Sequence, residues 1–450
     1  MNTALVILAA GKGTRMNSEL PKVLHPLAGA PLLVHAMQSG ASLEPQHTII
    51  VAGHCAAQVR VAALSHDPTC IVVEQKEQLG TAHATAQARD ALQGFDGTAI
   101  VAFGDTPFVS AQTLAAMLDA RAQFDVVVLG FEASNPGRYG RLVVEGDTLT
   151  RIVEFKDASE AERAIKLCNS GVLACDAATL FKLIDAVDNN NAAGEYYLPD
   201  IVSLARAQGL TASVVRCDES ETLGINTRAE LASAEAAFQT LARTRAFEDG
   251  VTMPAPDTVH FAFDTVVGRD TLIEPNVVFG PGVTVESGAT IRAFSHLEGC
   301  HVSQRSTVGP YARLRPGTEL SEDTRVGNFV EIKNARIGVG TKVNHLSYIG
   351  DATLGEKTNV GAGTITCNYD GVMKHHTHIG DNVFIGSNTM LVAPVQIGDR
   401  AMTGSGSVIT SDVEPEALAL ARASQIEKPG MATKLFSLLK AKKAQQQRGS

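Results

Sequence analysis

Two hydrophobic periods divide this chain of 450 residues. Up to about residue 225, short and nearly continuous apolar runs alternate with stretches of helical period. The runs "TALVILA", "HTIIVAG", "CIVVE", "TAIVAFGD" and "DVVVLGFE" predict strands. They lack the in-and-out alternation of a half-solvated sheet, which predicts a mainly parallel sheet covered by helices on both faces. Next comes the Ala-rich "NTRAELASAEAAFQTLARTRAFEDG", with Thr227 and Glu230 at capping-box spacing, which predicts one long helix ending near Gly250. Pro254 and Pro256 stop it.

Beyond those prolines the period becomes six. Apolar residues recur at Val267, Ile273, Phe279, Val285, Ile291 and Leu297, and after one slip at Val302, Val308, Leu314, Leu320, Val326 and Ile332. The ladder runs on through Ile337, Val343, Ile349, Leu354 and Val360, and resumes at Ile379, Ile385, Leu391, Ile397 and Thr403. A hexapeptide period of this length predicts a parallel β-helix, each coil taking three hexapeptides and burying one apolar rung per side. An antiparallel sandwich would need alternation at two and frequent hairpin turns. The one long break, "TCNYDGVMKHHTH" from Thr366 to His378, is expected to bulge from the coil. Three segments follow: residues 1–225, a linker helix over 226–250, and 251–450 ending in a tail.

Composition narrows the class. Lys and Arg number 38 against 48 Asp and Glu, a net charge of −10, which argues against general affinity for nucleic acid or an anionic membrane. The apolar runs fall short of the ~20 residues that span a bilayer. The first run has no basic leader before it and is broken by Gly11, Lys12 and Gly13, so it is expected to be a strand of a cytoplasmic protein. Seven cysteines without a C-x-x-C pair fit reduced, mostly buried thiols. The tail "KLFSLLKAKKAQQQRGS" starts basic and amphipathic, turns polar, and is expected to fray.

Candidate chemistry begins at "LAAGKGTRM", Leu8 to Met16. Its spacing matches neither the dinucleotide fingerprint, which needs a third glycine where Met16 stands, nor the P-loop. Glycines at 11 and 13 nonetheless let backbone N–H groups close on phosphate oxygens, and Lys12, Arg15 and Lys22 cluster there in an acidic chain. Asp105, after "IVAFG", stands at a strand end where a carboxylate can hold Mg²⁺ against a triphosphate. Both features fall beyond the carboxyl ends of strands, where open α/β sheets bind ligands. In the second half, His345 of "VNHLSYIG" lies off the apolar rung, and a histidine can act as a base near neutral pH. "HHTH" at His375, His376 and His378 has no carboxylate or Cys at ligand spacing and is expected to be an exposed loop cluster.

"LAAGKGTRM" with "PKVLHPLAG" resembles the opening of the sugar-phosphate nucleotidyltransferases. "EQLGTAHA", "NNNAAGEYYLPD", "GPYARLRPG", "VGNFVEIKNA", "NHLSYIGDA" and "VGAGTITCNYDG" extend the likeness over nearly the whole chain. It is similar to the bacterial bifunctional enzymes that make UDP-N-acetylglucosamine, which join a glucosamine-1-phosphate N-acetyltransferase to an N-acetylglucosamine-1-phosphate uridyltransferase. The resemblance implies a Rossmann-like nucleotidyltransferase domain followed by a left-handed β-helix. It also implies a homotrimer with active sites between subunits, and a product feeding peptidoglycan and lipopolysaccharide synthesis.

For the first half the resemblance implies that Leu8, Ala9, Ala10, Gly11 and Lys22 bind the nucleotide, with Arg15 and Lys22 offsetting charge on the leaving pyrophosphate. Gln75, Gly80 and Thr81 would contact uracil, and Gly140, Glu154 and Asn169 the N-acetylated sugar. Asp105 and Asn226 would hold Mg²⁺. Phe103 stands where the family usually has Tyr, which removes a hydroxyl but keeps the carboxylate two residues on. For the second half it implies His345 as general base, oriented by Glu331. Arg315 and Lys333 would bind the sugar phosphate. Tyr348, Asn359, Asn368 and Tyr369 would complete the pocket, the last two grouped with Ser387, Ser405 and Arg422 as acetyl-CoA contacts. Ser405 replaces a common Ala, where a backbone amide makes the contact. A single-function nucleotidyltransferase with a regulatory β-helix would not need Arg315, Lys333, His345 and Tyr348 together. A non-catalytic assembly subunit could lose Lys12, Arg15 and Asp105, and this chain keeps all three.

Overall fold

A computed structural model describes residues 2–146 and 148–448. Two compact units emerge, Met1–Arg245 with Phe261–Asp264, and Ala246–His260 with Thr265–Ser450.

The first unit is built on a twisted sheet whose central strands, Thr3–Ala9, His47–Ala52 and Thr98–Phe103, lie parallel with Thr3–Ala9 in the middle. Thr3–Ala9 is buried along its whole length, as expected of a strand with helices on both faces. Ile71–Glu74 extends one edge in parallel. On the other side the order is broken by Leu167–Asp176, which runs antiparallel to both Thr98–Phe103 and Val126–Glu132. A hairpin of Arg141–Glu145 and Thr148–Val153 hangs from it. Ala212–Cys217 closes the edge in parallel with Val126–Glu132. The antiparallel strand and the hairpin lie outside the five strands that periodicity marks.

The helix Arg228–Glu248 forms as expected, and its start is a capping box: the Glu230 carboxylate accepts from the Thr227 amide at 2.9 Å, while the Thr227 hydroxyl accepts from the Glu230 amide at 3.2 Å.

In the second unit, short strands pair in parallel with the strand one coil away. One face runs Val267, Val285, Val302, Leu320, Ile337, Leu354, Ile379 and Ile397 in register. Two further faces stack in the same way, as in Ile291–Val308–Val326–Val343 and Leu297–Leu314–Ile332–Ile349. Every rung residue expected from the sequence is buried except Val267, which the first coil leaves partly open. Each such side chain contributes about 1.5–3 kcal/mol by burial. The expected bulge lies between strands Ile365–Cys367 and Thr377–Ile379. The tail differs from expectation: Met431–Arg448 is helical, because its Ala, Leu, Lys and Gln are good helix formers, and its residues are exposed as far as 447. Among the described residues no helix is long and apolar enough to cross a membrane.

Candidate active sites

In the first unit, Leu8–Ala9 ends the central strand and delivers Ala10 and Gly11 to a cavity of about 290 Å³. Lys22, Gln75, Gly80, Thr81, Phe103 and Asp105 line the same space. Gly13 and Gly11 play different parts. Gly13 has φ +59°, and a Cβ there would lie 2.5 Å from the Lys22 Cβ, so only glycine lets the loop close on Lys22. A Cβ on Gly11 would meet nothing within 4 Å, which leaves open space beside its backbone. Arg15 and Lys12 are exposed, and neither lines the cavity.

The Lys22 ammonium forms an ion pair with Asp105 and donates to Asn226 Oδ1 at 2.9 Å. Backbone geometry explains how residues so distant meet. Ile225 N–H donates to the Asp105 carbonyl at 3.0 Å, and Glu230 Oε2 accepts from the Asn226 amide at 2.7 Å. Two side-chain oxygens thus already converge on one positive charge. A carboxylate and an amide oxygen are donors of the kind Mg²⁺ takes, so Asp105 and Asn226 would hold it here.

Gln75 is buried and its Nε2 donates to the Gly80 carbonyl at 3.1 Å and toward His83 Nδ1 at 3.0 Å. This commitment leaves Oε1 to accept from a base N–H. Gly80 has φ +121°, and a Cβ would lie 2.4 Å from the Tyr196 carbonyl, so the "QLGT" segment can dock on "YYLP" only with glycine there. Thr81 seals that contact, its hydroxyl accepting from Leu198 N–H at 2.9 Å.

A second pocket, sharing Thr81, Phe103 and Glu195 with the first, is lined by Glu154, Asn169, Gly171 and Tyr197. Asn169 N–H donates to the Gly140 carbonyl at 2.9 Å, and a Cβ on Gly140 would lie 3.1 Å from Glu154 Oε1. The three residues assigned to the sugar are therefore neighbours. Burial, and then Asp200 and Asp157, push the Glu154 carboxyl up, with Arg141 opposing.

In the second unit Arg315, Glu331, Lys333 and Tyr348 share one face of the β-helix. The Lys374 ammonium, then burial and Arg315, hold Lys333 below its ordinary value. Lys374 sits on the bulge and is a member of this cationic group that the sequence reading missed; the visible signal was a lone Lys in an insertion beside a predicted phosphate site. Asp351, buried, accepts from Asn334 Nδ2 at 2.6 Å and Asn368 Nδ2 at 2.5 Å. Burial pushes its carboxyl up, but those two amides and the Lys374 and Lys333 charges outweigh burial and hold it below the usual range.

Within one chain His345 Nδ1 lies 2.9 Å from Asn328 Oδ1, and the Glu331 carboxylate is paired with Arg315 at 2.8 Å. The register sets these contacts, since Asn328 is one coil below His345 whereas Glu331 pairs with Tyr348 across the corner. His345 lines a cavity with Arg325, Asn328 and Asn344, while Glu331 and Tyr348 line another. Between them stands a corner of exposed Phe294, Tyr311, Phe329 and Leu346, with the first three rings stacked 4.9 and 5.3 Å apart. Asn359 lies on the His345 face, paired with Lys342.

Ser387 and Ser405 occupy equivalent places on successive coils, beside a column of Gly361, Gly386 and Gly404. A Cβ on Gly386 would lie 2.5 Å from Ser405 N, so the column is a groove of bare backbone. Arg422 donates to the Ser405 carbonyl at 2.7 Å and closes one end. Tyr369, on the bulge, is exposed, its hydroxyl donating to the Gly371 carbonyl at 2.6 Å. The histidine cluster needs a correction: a carboxylate does stand beside it, Asp370 Oδ2 at 2.7 Å from His375 Nε2, while His376 Nε2 pairs with the Thr353 hydroxyl at 2.9 Å. Among the described residues no group of three metal-binding side chains forms.

The fold and these sites define a nucleotidyltransferase unit joined to a hexapeptide-repeat transferase unit. Residues 5–177 match the MobA-like NTP transferase domain, and residues 264–299 and 376–411 the bacterial transferase hexapeptide. Over 450 residues the chain is 79% identical to the bifunctional protein GlmU of Roseobacter denitrificans, covering 100% of both chains. It is 68% identical over 448 residues to that of Ruegeria pomeroyi, again covering 100% of each, and 63% identical over 440 residues to that of Paracoccus denitrificans, covering 98% of each. The chain belongs to the bifunctional GlmU family.

Proposed function

We propose that the chain carries out two steps of UDP-N-acetylglucosamine synthesis at separate sites. The second unit acetylates glucosamine-1-phosphate with acetyl-CoA, and the first couples the product to UTP and releases pyrophosphate.

In uridylyl transfer a sugar-phosphate oxygen attacks the α-phosphorus of UTP as the bond to pyrophosphate breaks. Positioning and charge dominate such a reaction. The sugar occupies the Glu154–Asn169 pocket, the uracil faces Gln75, and the triphosphate lies along Ala10–Gly11 toward Lys22, with Arg15 on the loop meeting the leaving group. Asp105 and Asn226 would hold Mg²⁺, which when bound would supply charge neutralisation of the triphosphate. The observation that carries this reading is the convergence of Lys22, Asp105 and Asn226 at the mouth of a cavity continuous in its lining with the sugar pocket.

In acetyl transfer the amine attacks the thioester carbonyl, His345 takes the amine proton, and the CoA thiolate leaves. Asn328 fixes the ring of His345, Arg315, Lys333 and Lys374 hold the phosphate, and acetyl-CoA lies in the glycine groove past Ser387 and Ser405. In one chain His345 and the cationic group lie on opposite sides of the aromatic corner, so a complete site needs a second copy. A homotrimer packed on that corner supplies it, and the working place is the cytoplasm. The test is separation of function: His345→Ala should abolish acetyl transfer and spare uridylyl transfer, and Asp105→Ala the reverse. Loss of both activities in either folded variant contradicts it.

A further inference from the structure

Arg15, Lys22 and Asn226 lie on three separate segments, and the uridylyl-transfer reading on which this inference rests needs them in fixed relation. One side chain touches all three segments. Arg228, two residues after Asn226, donates from Nε to the Met16 carbonyl at 3.3 Å and from Nη1 to His25 Nδ1 at 3.2 Å. Met16 ends the short helical turn Thr14–Met16 that carries Arg15, and His25 follows the turn Lys22–Leu24. Both acceptors are buried, Met16 at 1% and His25 at 2% exposure. A guanidinium only donates, so the bond fixes His25 as the neutral tautomer with Nδ1 bare. Burial and the Arg228 charge also hold the His25 imidazole below its ordinary value.

We propose that Arg228 is a positioning residue for uridylyl transfer, clamping the Gly13–Met16 loop and the Lys22–His25 turn to the segment that carries Asn226. Direct packing of the loop on Lys22, possible because Gly13 lacks a Cβ, sets the distance between the two clamped pieces. Glu230 and Ile225 anchor the third piece through the Asn226 amide and the Asp105 carbonyl. Removing the guanidinium leaves each segment folded but free to shift, and displacements of about an ångström at a phosphoryl-transfer site cost on the order of 10²-fold in rate. The sugar pocket around Glu154 and Asn169 has its own hydrogen bonds and is not held by Arg228. Lysine cannot reproduce a two-point fork.

The test uses the full-length protein with Arg228→Ala and Arg228→Lys. For both variants the kcat of pyrophosphate release should fall, on the order of 10²-fold for alanine and less for lysine. KM for N-acetylglucosamine-1-phosphate should stay near that of the parent. Hydrogen exchange in the ligand-free protein should quicken over residues 13–25. Acetyl transfer should be unchanged, which shows the second unit is intact, and the unaltered KM for N-acetylglucosamine-1-phosphate certifies the fold of the first. Unchanged exchange over residues 13–25, or a kcat within about threefold of the parent for alanine, overturns the proposal. An equal rise in KM for both substrates with kcat intact overturns it too, because that pattern means general loosening rather than misplacement. Failure of Asp105→Ala to remove uridylyl transfer would count against the underlying site instead, and is distinguishable because it leaves the exchange result standing.

Discussion

Asn328 shows how a single register position decides a residue's role. Its amide oxygen holds His345 Nδ1, so Asn328→Ala should lower the kcat of acetyl transfer, by less than the ~10²–10⁴-fold loss expected of His345→Ala. Steady-state kinetics with glucosamine-1-phosphate and acetyl-CoA check this. An equal loss in Glu331→Gln with none in Asn328→Ala would make Glu331, not Asn328, the orienting group. Glu154 offers a prediction of opposite sign in stability and function. Its raised carboxyl binds its proton more tightly folded than unfolded, so its ionised form costs stability as pH rises above the unfolded value, in full above the folded one. Glu154→Gln should therefore raise the thermal midpoint of the ligand-free protein at neutral pH while weakening the sugar phosphate, read by calorimetry and by KM. At this scale much was legible. The meeting of Lys22, Asp105 and Asn226 could be expected only from family resemblance, which carries spatial information that spacing alone does not. Asn328 was within reach of the repeat, which sets Val326 beside Val343 and so Asn328 beside His345, whereas Lys374 was not legible, since the fold of a bulge follows no repeat.

The elements divide in the same way between local and long-range causes. A hexapeptide repeat writes its own register, so nearly every rung position followed from the sequence, and the break at 366–378 marked the bulge. Ile332 sits on a central rung with no exposure, and Ile332→Ala should cost about 2–5 kcal/mol, seen as a lower unfolding midpoint of the β-helix unit. The strand Leu167–Asp176 was missed for a physical reason. Its pairing with Val126–Glu132 slips between Asn169 and Leu173, and that irregularity breaks the apolar run while turning Asn169 into the pocket beside Glu154. A short helix offers a pH test. Ser159 and Glu162 form a capping box on Glu160–Arg163, and hydrogen bonds from Arg151 and then Ser159 bring the exposed Glu162 carboxyl down to about 2. Because the folded value is depressed, the support is complete above the unfolded value and fades as pH falls toward 2. Helix fraying at 160–163, followed by NMR, should appear in that window and not between pH 6 and 8.

At the scale of the molecule, two sites on two units explain why one chain carries both a phosphate loop and a hexapeptide solenoid. The aromatic corner gives the proposed trimer a testable surface, since exposed stacked rings on successive coils are costly in water and suit a head-to-tail interface that closes into a ring of three. Phe329→Glu should convert a trimer to a monomer in sedimentation, abolish acetyl transfer and leave uridylyl transfer. A trimer that persists with full acetyl transfer would place the interface elsewhere. The most direct measurement is a coupled assay on one purified preparation with glucosamine-1-phosphate, acetyl-CoA, UTP and Mg²⁺, following free thiol and pyrophosphate separately. Thiol release should need only the first two substrates, and pyrophosphate should then require UTP and Mg²⁺. Pyrophosphate from supplied N-acetylglucosamine-1-phosphate with no thiol under any condition would contradict the two-site reading and leave the β-helix a scaffold.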